Sequence, residues 1–179
     1  MRTQDVKIAL AGNPNSGKTT LFNNLTGGRQ RVGNYPGITV EKRSGRLSIQ
    51  DKVLEMIDLP GTYSLTAYSQ EELVARNVIF EEKPDAAIVV LDATNLERQL
   101  YLAVQFMELG LPIILALNMM DEVEKKGITL NTGRLSSLLG VPIVETVART
   151  GKGHSAHIAD AVRQAHQSQN RQRNPLHIP

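Results

Sequence analysis

The chain has 179 residues, of which 41% are hydrophobic and 21% charged, and its formal net charge is +2 at pH 7. This composition is typical of a soluble domain of ordinary size with a buried core. The absence of cysteine excludes disulfides and thiolate metal sites. The apolar runs are far shorter than the roughly 20 residues that span a bilayer. The N-terminal stretch MRTQDVKIALAG is too weakly apolar for a signal peptide, so we expect a cytoplasmic location.

Short apolar runs rich in β-branched residues alternate with helical patterns along the chain. Their apolarity is continuous, which predicts strands covered on both faces, as in a parallel sheet. These runs are 6–11, 53–58, 86–92, 112–118 and 141–147. Residues 40–50 alternate instead, around a turn signal, and predict an antiparallel edge strand.

The helical patterns between these strands carry recognisable start and stop signals. They cover 17–27, 69–82, 95–110, 131–140 and 153–166. Ser69 with Glu72 forms a capping-box pattern, and Gly110 and Gly140 suit helix C-termini. In the third helix, the i, i+3 and i+4 spacing predicts one buried face made of Leu96, Leu100, Ala103, Val104 and Met107.

These elements predict a doubly wound α/β domain over residues 1–165. We expect a mostly parallel six-stranded sheet with one antiparallel edge strand and about five helices. Residues 166–179 are polar and aperiodic with two prolines, which predicts a disordered tail or a truncated linker. This tail has two arginines and no aromatic residue, so we expect no nucleic-acid partner.

The segment GNPNSGKT, between the first strand and the first helix, fits the pattern G-x-x-x-x-G-K-[ST]. Its glycines allow successive backbone N–H groups to converge on phosphate at a helix N-terminus. We expect Lys18 to bridge the outer phosphates and the Thr19 hydroxyl to bind magnesium. The alternative is a glycine-rich turn without a ligand. The predicted phosphate loop comprises Gly12, Asn13, Pro14, Asn15, Ser16, Gly17, Lys18, Thr19 and Thr20.

Three further loops follow predicted strands, at the edge of the sheet where open α/β domains bind ligands. In the first, Asp58 is expected to hold magnesium and Gly61 to meet the γ-phosphate; its residues are Asp58, Leu59, Pro60 and Gly61. The second is Asn118, Met119, Met120 and Asp121. Asp121 can accept from the two edge donors of guanine, and Asn118 is expected to connect this loop to the phosphate loop. The third is Val147, Ala148 and Arg149, in which the Ala148 N–H faces the base carbonyl. Adenine lacks that donor pair, so the pattern favours GTP and GDP over ATP.

Longer stretches resemble a specific family of GTPases. The order of the loops is similar to that of Ras-like, translation-factor-related GTPases, which share a three-layer P-loop fold. The stretches GNPNSGKTTLFNNLTGGRQRVGNYPGITVEKRSG, DLPGTYSL and LDATNLERQLYL resemble the cytosolic G domain of the bacterial ferrous iron transport protein B family, over about residues 5–153. The resemblance implies a GTPase that converts GTP to GDP and phosphate at the cytosolic face of the bacterial inner membrane. It also implies helical regulatory and membrane domains as partners in the full-length transporter, and it leaves a homodimer open.

The resemblance also assigns roles to single residues. Thr39 corresponds to the threonine of switch I that closes on magnesium, in a segment from Gly33 to Glu41, and a second switch runs from Leu59 to about Glu71. Lys18, Thr39 and Gly61 are then the catalytic residues, and the nucleotide-contacting part of switch I is Gly37, Ile38, Thr39, Val40 and Glu41. Asn15, with the carbonyls of Gly33 and Tyr35, corresponds to a potassium site; alternatively, Asn15 only braces the loop. For Asn13 we expect a loop-bracing role.

Two positions depart from the patterns of such GTPases. Thr62 stands where many have a glutamine that orients the attacking water, so we expect slow hydrolysis. Val147 stands where a serine is usual, so we expect a less well braced base loop. A ribosome-assembly or tRNA-modification GTPase, and a nucleotide-binding module with negligible turnover, stay open as alternatives.

Overall fold

The computed structural model of the chain describes residues 6–49, 52–151 and 156–164. Seven strands form one sheet within these residues. They are β1 (Val6–Gly12), β2 (Gln30–Asn34), β3 (Glu41–Ile49), β4 (Lys52–Asp58), β5 (Ala86–Asp92), β6 (Ile113–Asn118) and β7 (Ile143–Glu145). The order across the sheet is β2-β3-β4-β1-β5-β6-β7. The strands β4, β1, β5, β6 and β7 are parallel to one another. At one edge, β3 pairs antiparallel with both β4 and β2.

Helices cover both faces of the sheet. They are α1 (Lys18–Thr26), α2 (Gln70–Glu82), α3 (Leu96–Glu108), α4 (Met120–Lys125), α5 (Thr132–Leu139) and the helical residues 156–164, here α6. Side chains of α1 and α6 pack in the core cluster of one face, and those of α2, α3 and α4 in the cluster of the other. The result is the three-layer arrangement of a doubly wound domain.

The central strands are buried on both faces. Every residue of β6 is buried, as are Ala86 to Leu91 of β5. This explains the continuous apolar runs, because neither face of these strands meets water. Burying each such Ile, Leu or Val side chain contributes about 1.5–3 kcal/mol, so the central strands form a firm base for the loops at their carboxyl ends.

The predicted fold class is confirmed, with two additional elements. The strand β2 and the short helix α4 were not predicted, and the sheet has seven strands rather than six. The expected turn within 40–50 is wrong, because β3 continues through Gly45. Each residue of β2 is exposed or partly exposed, so β2 shows no apolar periodicity. The predicted tail 166–179 lies outside the described residues.

The predicted buried face of α3 is partly wrong. The residues of α3 that are buried are Gln99, Leu102, Ala103 and Phe106, whereas Val104 is 42% exposed. The difference arises because Gln99 is drawn inside: its Oε1 accepts a hydrogen bond from the Asp92 N–H at 2.8 Å. A buried polar group with a partner costs little, so this face of α3 carries a glutamine that an apolar pattern cannot predict.

Candidate functional site

The phosphate loop connects β1 to α1 and bends through two left-handed residues. Asn15 has φ 65° and Gly17 has φ 86°. A Cβ on Gly17 would lie 2.0 Å from Nδ2 of Asn118, and a Cβ on Gly12 would lie 2.7 Å from the Val90 carbonyl oxygen. These two positions therefore require glycine for close packing against β5 and the last residue of β6.

A cleft of about 380 Å³ lies over this loop. It is lined by Asn13, Pro14, Asn15, Gly17, Lys18, Thr19, Thr20, Gly61 and Met119. Lys18 to Thr20 form the first turn of α1, whose free N–H groups and dipole favour an anion. The structure therefore places most of the predicted phosphate loop around one concave space.

Lys18 and Asp58 form a buried ion pair at the floor of the site. The Lys18 Nζ donates to Asp58 Oδ1, and both side chains are less than one-tenth exposed. Burial raises the pKa of the Asp58 carboxyl, and the Lys18 charge only partly opposes this effect. The two residues that the sequence assigned to phosphate and to magnesium thus neutralise each other in this conformation.

The loop after β4 rests on the phosphate loop. The Leu59 N–H donates to the Leu10 carbonyl at 2.9 Å, and the Thr62 N–H donates to the Gly12 carbonyl at 3.1 Å. A Cβ on Gly61 would lie 3.3 Å from Cα of Pro14. Thr62 itself is buried, so its hydroxyl adds little to the exposed cleft wall.

A second cleft of about 250 Å³ adjoins the first. It is lined by Gly17, Thr20, Asn118, Met119, Asp121, Glu122, Val147, Ala148 and Arg149. Gly17, Thr20 and Met119 line both clefts. The two spaces are therefore neighbouring parts of one site.

Asn118 connects the three loops of this site. Its Nδ2 donates to the Ser16 carbonyl at 2.9 Å, and its Oδ1 accepts from the Ala148 N–H at 2.8 Å. The expected contact with the phosphate loop is therefore present. Met120, in the same segment, donates its N–H to the Thr146 carbonyl at 3.3 Å.

Asp121 lies in the first turn of α4 and pairs with Arg149. The Arg149 Nη2 donates to Asp121 Oδ2, while the Lys125 Nζ lies 3.9 Å from the same oxygen. Desolvation raises the pKa of the Asp121 carboxyl, but the hydrogen bond and charge of Arg149 outweigh it and hold this pKa below its usual value. The carboxylate is therefore ionised at neutral pH, as recognition of two N–H donors requires.

Sequence reasoning missed the residues that brace the base loop. The Thr146 hydroxyl donates to Asn118 Oδ1 at 3.3 Å, and Asn24 of α1 donates its Nδ2 to the Ala148 carbonyl. Thr146 directly precedes Val147, so a hydroxyl is present one position earlier than expected. The expectation of a less well braced loop at 147–149 therefore did not take Thr146 into account. The sequence signal for this contact was the Thr146 hydroxyl, one residue before Val147.

The segment predicted as switch I forms a hairpin in this structure. Gly33 lies in β2 opposite Lys42, and the Tyr35 N–H donates to the Val40 carbonyl at 3.0 Å. Thr39 is exposed in the connecting loop, and the Tyr35 carbonyl accepts from the Ile38 N–H at 3.3 Å. The residues from Gly37 to Glu41 are not among those that line either cleft in the described part of the chain.

Three buried side-chain atoms have no hydrogen-bond partner within the described residues. They are Asn13 Oδ1, Ser16 Oγ and the Tyr35 hydroxyl. Asn13 and Ser16 belong to the phosphate loop, whereas Tyr35 directly follows β2. The Asn13 side-chain oxygen thus accepts no hydrogen bond from the described residues, whereas its backbone carbonyl accepts from the Ser16 N–H at 3.2 Å.

Comparison with known proteins decides the family. The family model described as ferrous iron transport protein B matches residues 6–162. The chain belongs to the ferrous iron transport protein B family. It is 51% identical to the Fe(2+) transporter FeoB of Escherichia coli K12 over 153 residues, which are 83% of this chain and 20% of that protein. It is 48% identical over 174 residues to an Fe(2+) transport protein A/FeoB fusion protein of Porphyromonas gingivalis, covering 97% of this chain and 20% of that protein.

Solved FeoB structures share the fold. The G domain of the T. maritima FeoB iron transporter matches with a TM-score of 0.82 and 40% identity, over 89% of this chain and 98% of that one. An S. thermophilus NFeoB mutant bound to mGDP matches with a TM-score of 0.83 and 48% identity, over 89% and 61% of the two chains. The chain thus corresponds to the FeoB G domain and spans about a fifth of the curated transporters.

The described residues contain no cluster of three or more His, Asp or Glu side chains arranged to hold a metal ion. They also contain no helix long and apolar enough to cross a membrane. The predicted magnesium ligands Thr19 and Asp58 offer a hydroxyl and a carboxylate, which are suitable oxygen donors for a metal that keeps several waters. Thr19 lines the first cleft, and Asp58 pairs with Lys18.

Proposed function

We propose that this domain binds GTP and GDP and hydrolyses GTP. The observation that carries the proposal is the shared wall of the two clefts, because Gly17, Thr20 and Met119 join an anion-binding helix terminus to a carboxylate that can select guanine. GDP in FeoB relatives such as an S. thermophilus NFeoB mutant supports it. Family membership disfavours the ribosome-assembly and tRNA-modification alternatives.

The mechanism follows from residues that this chain already places around the cleft. On nucleotide binding, Lys18 leaves Asp58 for the outer phosphates, and the amides of the loop hold the remaining oxygens. Thr39 moves in from the hairpin, and the Gly61 N–H meets the γ-phosphate. Magnesium, held by Thr19, Thr39 and Asp58, would neutralise charge on the phosphates. Thr62 supplies no long side chain to orient water, so turnover is slow.

Potassium binding is the second part of the proposal. Asn15 lies on the cleft wall with a left-handed backbone, which points to a specific role for this residue. Gly33 and Tyr35 are proposed to supply carbonyl oxygens once the switch I hairpin rearranges. A monovalent cation there would stabilise developing negative charge, as an arginine does in other GTPases.

We further propose that the domain regulates ferrous iron transport from the cytosolic face of a bacterial inner membrane. Its relatives are transporters about five times the length of the matching region. The helical regulatory and membrane parts of such a protein would be its partners, and two copies of the domain can associate through their switches. Iron is the cargo of the membrane part in this proposal.

Calorimetry tests nucleotide binding. We expect heat of binding with GDP and none with ADP, because only guanine satisfies both oxygens of Asp121. Asp121→Asn should lose GDP and gain the xanthine nucleotide, whose base presents a carbonyl where guanine presents an amine. Equal binding of GDP and ADP would refute the assignment of the second cleft, which contains Asp121, to the guanine base.

Hydrolysis in potassium and in sodium tests the catalytic part. We expect faster GTP turnover in potassium, and loss of that difference in Asn15→Ala. Asn77→Ala, an exposed asparagine of α2 outside both clefts, serves as the matched control. Equal rates in the two salts would eliminate the potassium site.

A nucleotide-binding module with negligible turnover is the second candidate. Two observations on Thr62 favour this candidate. Its side chain is buried, and its N–H donates to the Gly12 carbonyl, so neither group is free to orient water. Thr62→Ala should change turnover only modestly, whereas Lys18→Ala should abolish it. GDP binding without detectable hydrolysis in either salt would favour the module.

A further inference from the structure

We propose that Arg149 pairs with the Asp121 carboxylate in place of guanine when the second cleft, here called the base cleft, is empty. We also propose that Arg149 speeds the release of GDP. The proposal rests on the proposed function, since it concerns the same cleft. It assigns Arg149 a role opposite to that of a simple binding residue: it competes with the base for the carboxylate.

The contact itself is the first observation. The Arg149 Nη2 donates to Asp121 Oδ2, and both residues line the base cleft with Ala148 and Met119. Arg149 belongs to the short helical turn Ala148–Thr150, whose Ala148 N–H is fixed by Asn118. The backbone under Arg149 is thus anchored, while its side chain is 64% exposed and can move.

The chemistry of the base gives the second step. Guanine presents two adjacent donors, N1–H and the 2-amino group, which match the two oxygens of a carboxylate. A guanidinium also presents paired donors and prefers the same partner. Because Arg149 takes Oδ2, the guanine base must exchange with it to bind both oxygens.

The strength of the pair sets the size of the effect. An exposed ion pair contributes little, since water and salt screen it. Lys125 lies 3.9 Å from the same oxygen and the Arg149 Nη2 lies 3.9 Å from Glu122, so part of the charge on each partner is satisfied elsewhere. Arg149 is therefore a weak competitor: it lowers affinity by a few-fold and recaptures Asp121 as the base leaves.

The experiment compares GDP with IDP, whose base lacks the 2-amino group. We expect Arg149→Ala and Arg149→Gln to bind GDP about two- to fivefold more tightly than the unmodified domain, with slower dissociation. IDP uses one carboxylate oxygen and leaves the other to Arg149, so its affinity should improve less. The gain for GDP should shrink in 1 M salt, where the Debye length is about 3 Å.

Arg163→Ala is the matched control, because Arg163 is an exposed arginine of α6 that pairs with Asp160 outside both clefts. It should leave both affinities unchanged. Weaker GDP binding by Arg149→Ala would show that Arg149 supports the base, and equal gains for GDP and IDP would show no competition for Oδ2; either overturns the inference. If the unmodified domain binds no GDP, the proposed function itself fails, which separates the two outcomes.

Discussion

Two buried asparagines, one lining each cleft, show that the same residue type has different effects at different positions. Asn118 contacts Ser16, Thr146 and Ala148 through both ends of its amide. The Asn13 side chain is equally buried, yet its oxygen accepts no hydrogen bond from the described residues. An unsatisfied buried acceptor costs about 1–3 kcal/mol. Asn13 therefore opposes the stability of the empty domain, whereas Asn118 supports it.

Leucine has nearly the shape of asparagine and no polar group, so it tests this difference. We expect Asn13→Leu to leave the free energy of unfolding of the empty domain unchanged or higher. Asn118→Leu should lower it by about 2 kcal/mol or more, because three partners lose their contacts. Urea denaturation without nucleotide measures both. A comparable loss in the two variants would show that the Asn13 oxygen is satisfied in solution.

Tyr35 carries the third unsatisfied atom and a raised pKa. Its ring packs beside the core cluster of the α2 and α3 face, with Lys42 Nζ 5.6 Å from the ring centroid. Desolvation, followed by the negative charges of Asp58 and Glu82, raises the pKa of Tyr35 to about 12. Because this pKa exceeds the unfolded value, the stability contributed by the neutral phenol is complete below pH 10 and is lost as pH rises toward 12.

Tyr35→Phe tests that dependence. Between pH 10 and 12, the free energy of unfolding should fall by about 1–2 kcal/mol more in the unmodified domain than in Tyr35→Phe; the full value of two pKa units is reduced because the ring is only partly buried. Lysine ionisation affects both proteins and cancels in the difference. Parallel curves across this range would place the hydroxyl in water.

At the scale of elements, Glu72 organises the loop before its own helix. Its carboxylate accepts from the Ser64 hydroxyl at 3.0 Å, the Thr66 hydroxyl at 3.1 Å and the Tyr68 N–H at 3.0 Å. Its N–H donates to Ser69 Oγ at 3.1 Å, the contact that the capping box predicts. Glu72 therefore connects the N-terminus of α2 to the segment predicted as the second switch.

Removal of the Glu72 charge should loosen this loop. Desolvation raises the pKa of Glu72, but the hydrogen bonds from Tyr68, Ser64 and Thr66 outweigh it and lower the pKa, so its contribution is present above pH 4.5 and lost as pH falls below that value. In Glu72→Gln we expect faster hydrogen exchange of the Tyr68 amide at neutral pH, with core amides unchanged. Glu71→Gln, one residue away on the exposed side of α2, is the control. Unchanged exchange at Tyr68 would dismiss the role of the carboxylate.

The end of α1 contacts β3 at a glycine. A Cβ on Gly45 would lie 2.4 Å from Cγ2 of Thr26, whose hydroxyl donates to the Phe22 carbonyl at 2.8 Å. We expect Gly45→Ala to lower the free energy of unfolding by about 1–3 kcal/mol through overpacking. Thr26→Ser removes the methyl group, keeps the hydroxyl and should restore part of the loss in the double variant, since Cβ of residue 26 still lies 2.9 Å from the added Cβ. Gly33→Ala in β2, where a Cβ meets open space, should be tolerated; equal losses at Gly33 and Gly45 would contradict the steric explanation.

At the scale of the whole molecule, the sequence predicted the elements that bury apolar side chains and the loops that follow them. It missed β2 because the residues of β2 face water on both sides and leave no apolar pattern. The pairing of Arg149 with Asp121 and the bond from Asn24 to Ala148 join segments far apart in the chain, so neither spacing nor propensity indicates them. Motifs predicted which loops line the clefts, but they could not predict these two side-chain partners.

Nucleotide should stabilise the entire domain, because the clefts join loops from β1, β4, β6 and β7. GDP at 100 times its dissociation constant is expected to raise the free energy of unfolding by about 2.7 kcal/mol. For a domain of this size the melting temperature rises by several degrees. Thermal melts with GDP, and with ADP as control, measure the effect. A shift of the same size with both nucleotides would contradict selection by Asp121.

The edge strand β2 has a mechanical consequence. Since β2 ends the sheet and Val32 at its centre is 63% exposed, peeling β2 away uncovers little apolar surface and breaks a single ladder. Each lost hydrogen bond costs about 0.5–1.5 kcal/mol net. The free energy needed to detach β2 is therefore small compared with the free energy needed to unfold a central strand. β2 can therefore detach from β3 while the central strands stay folded.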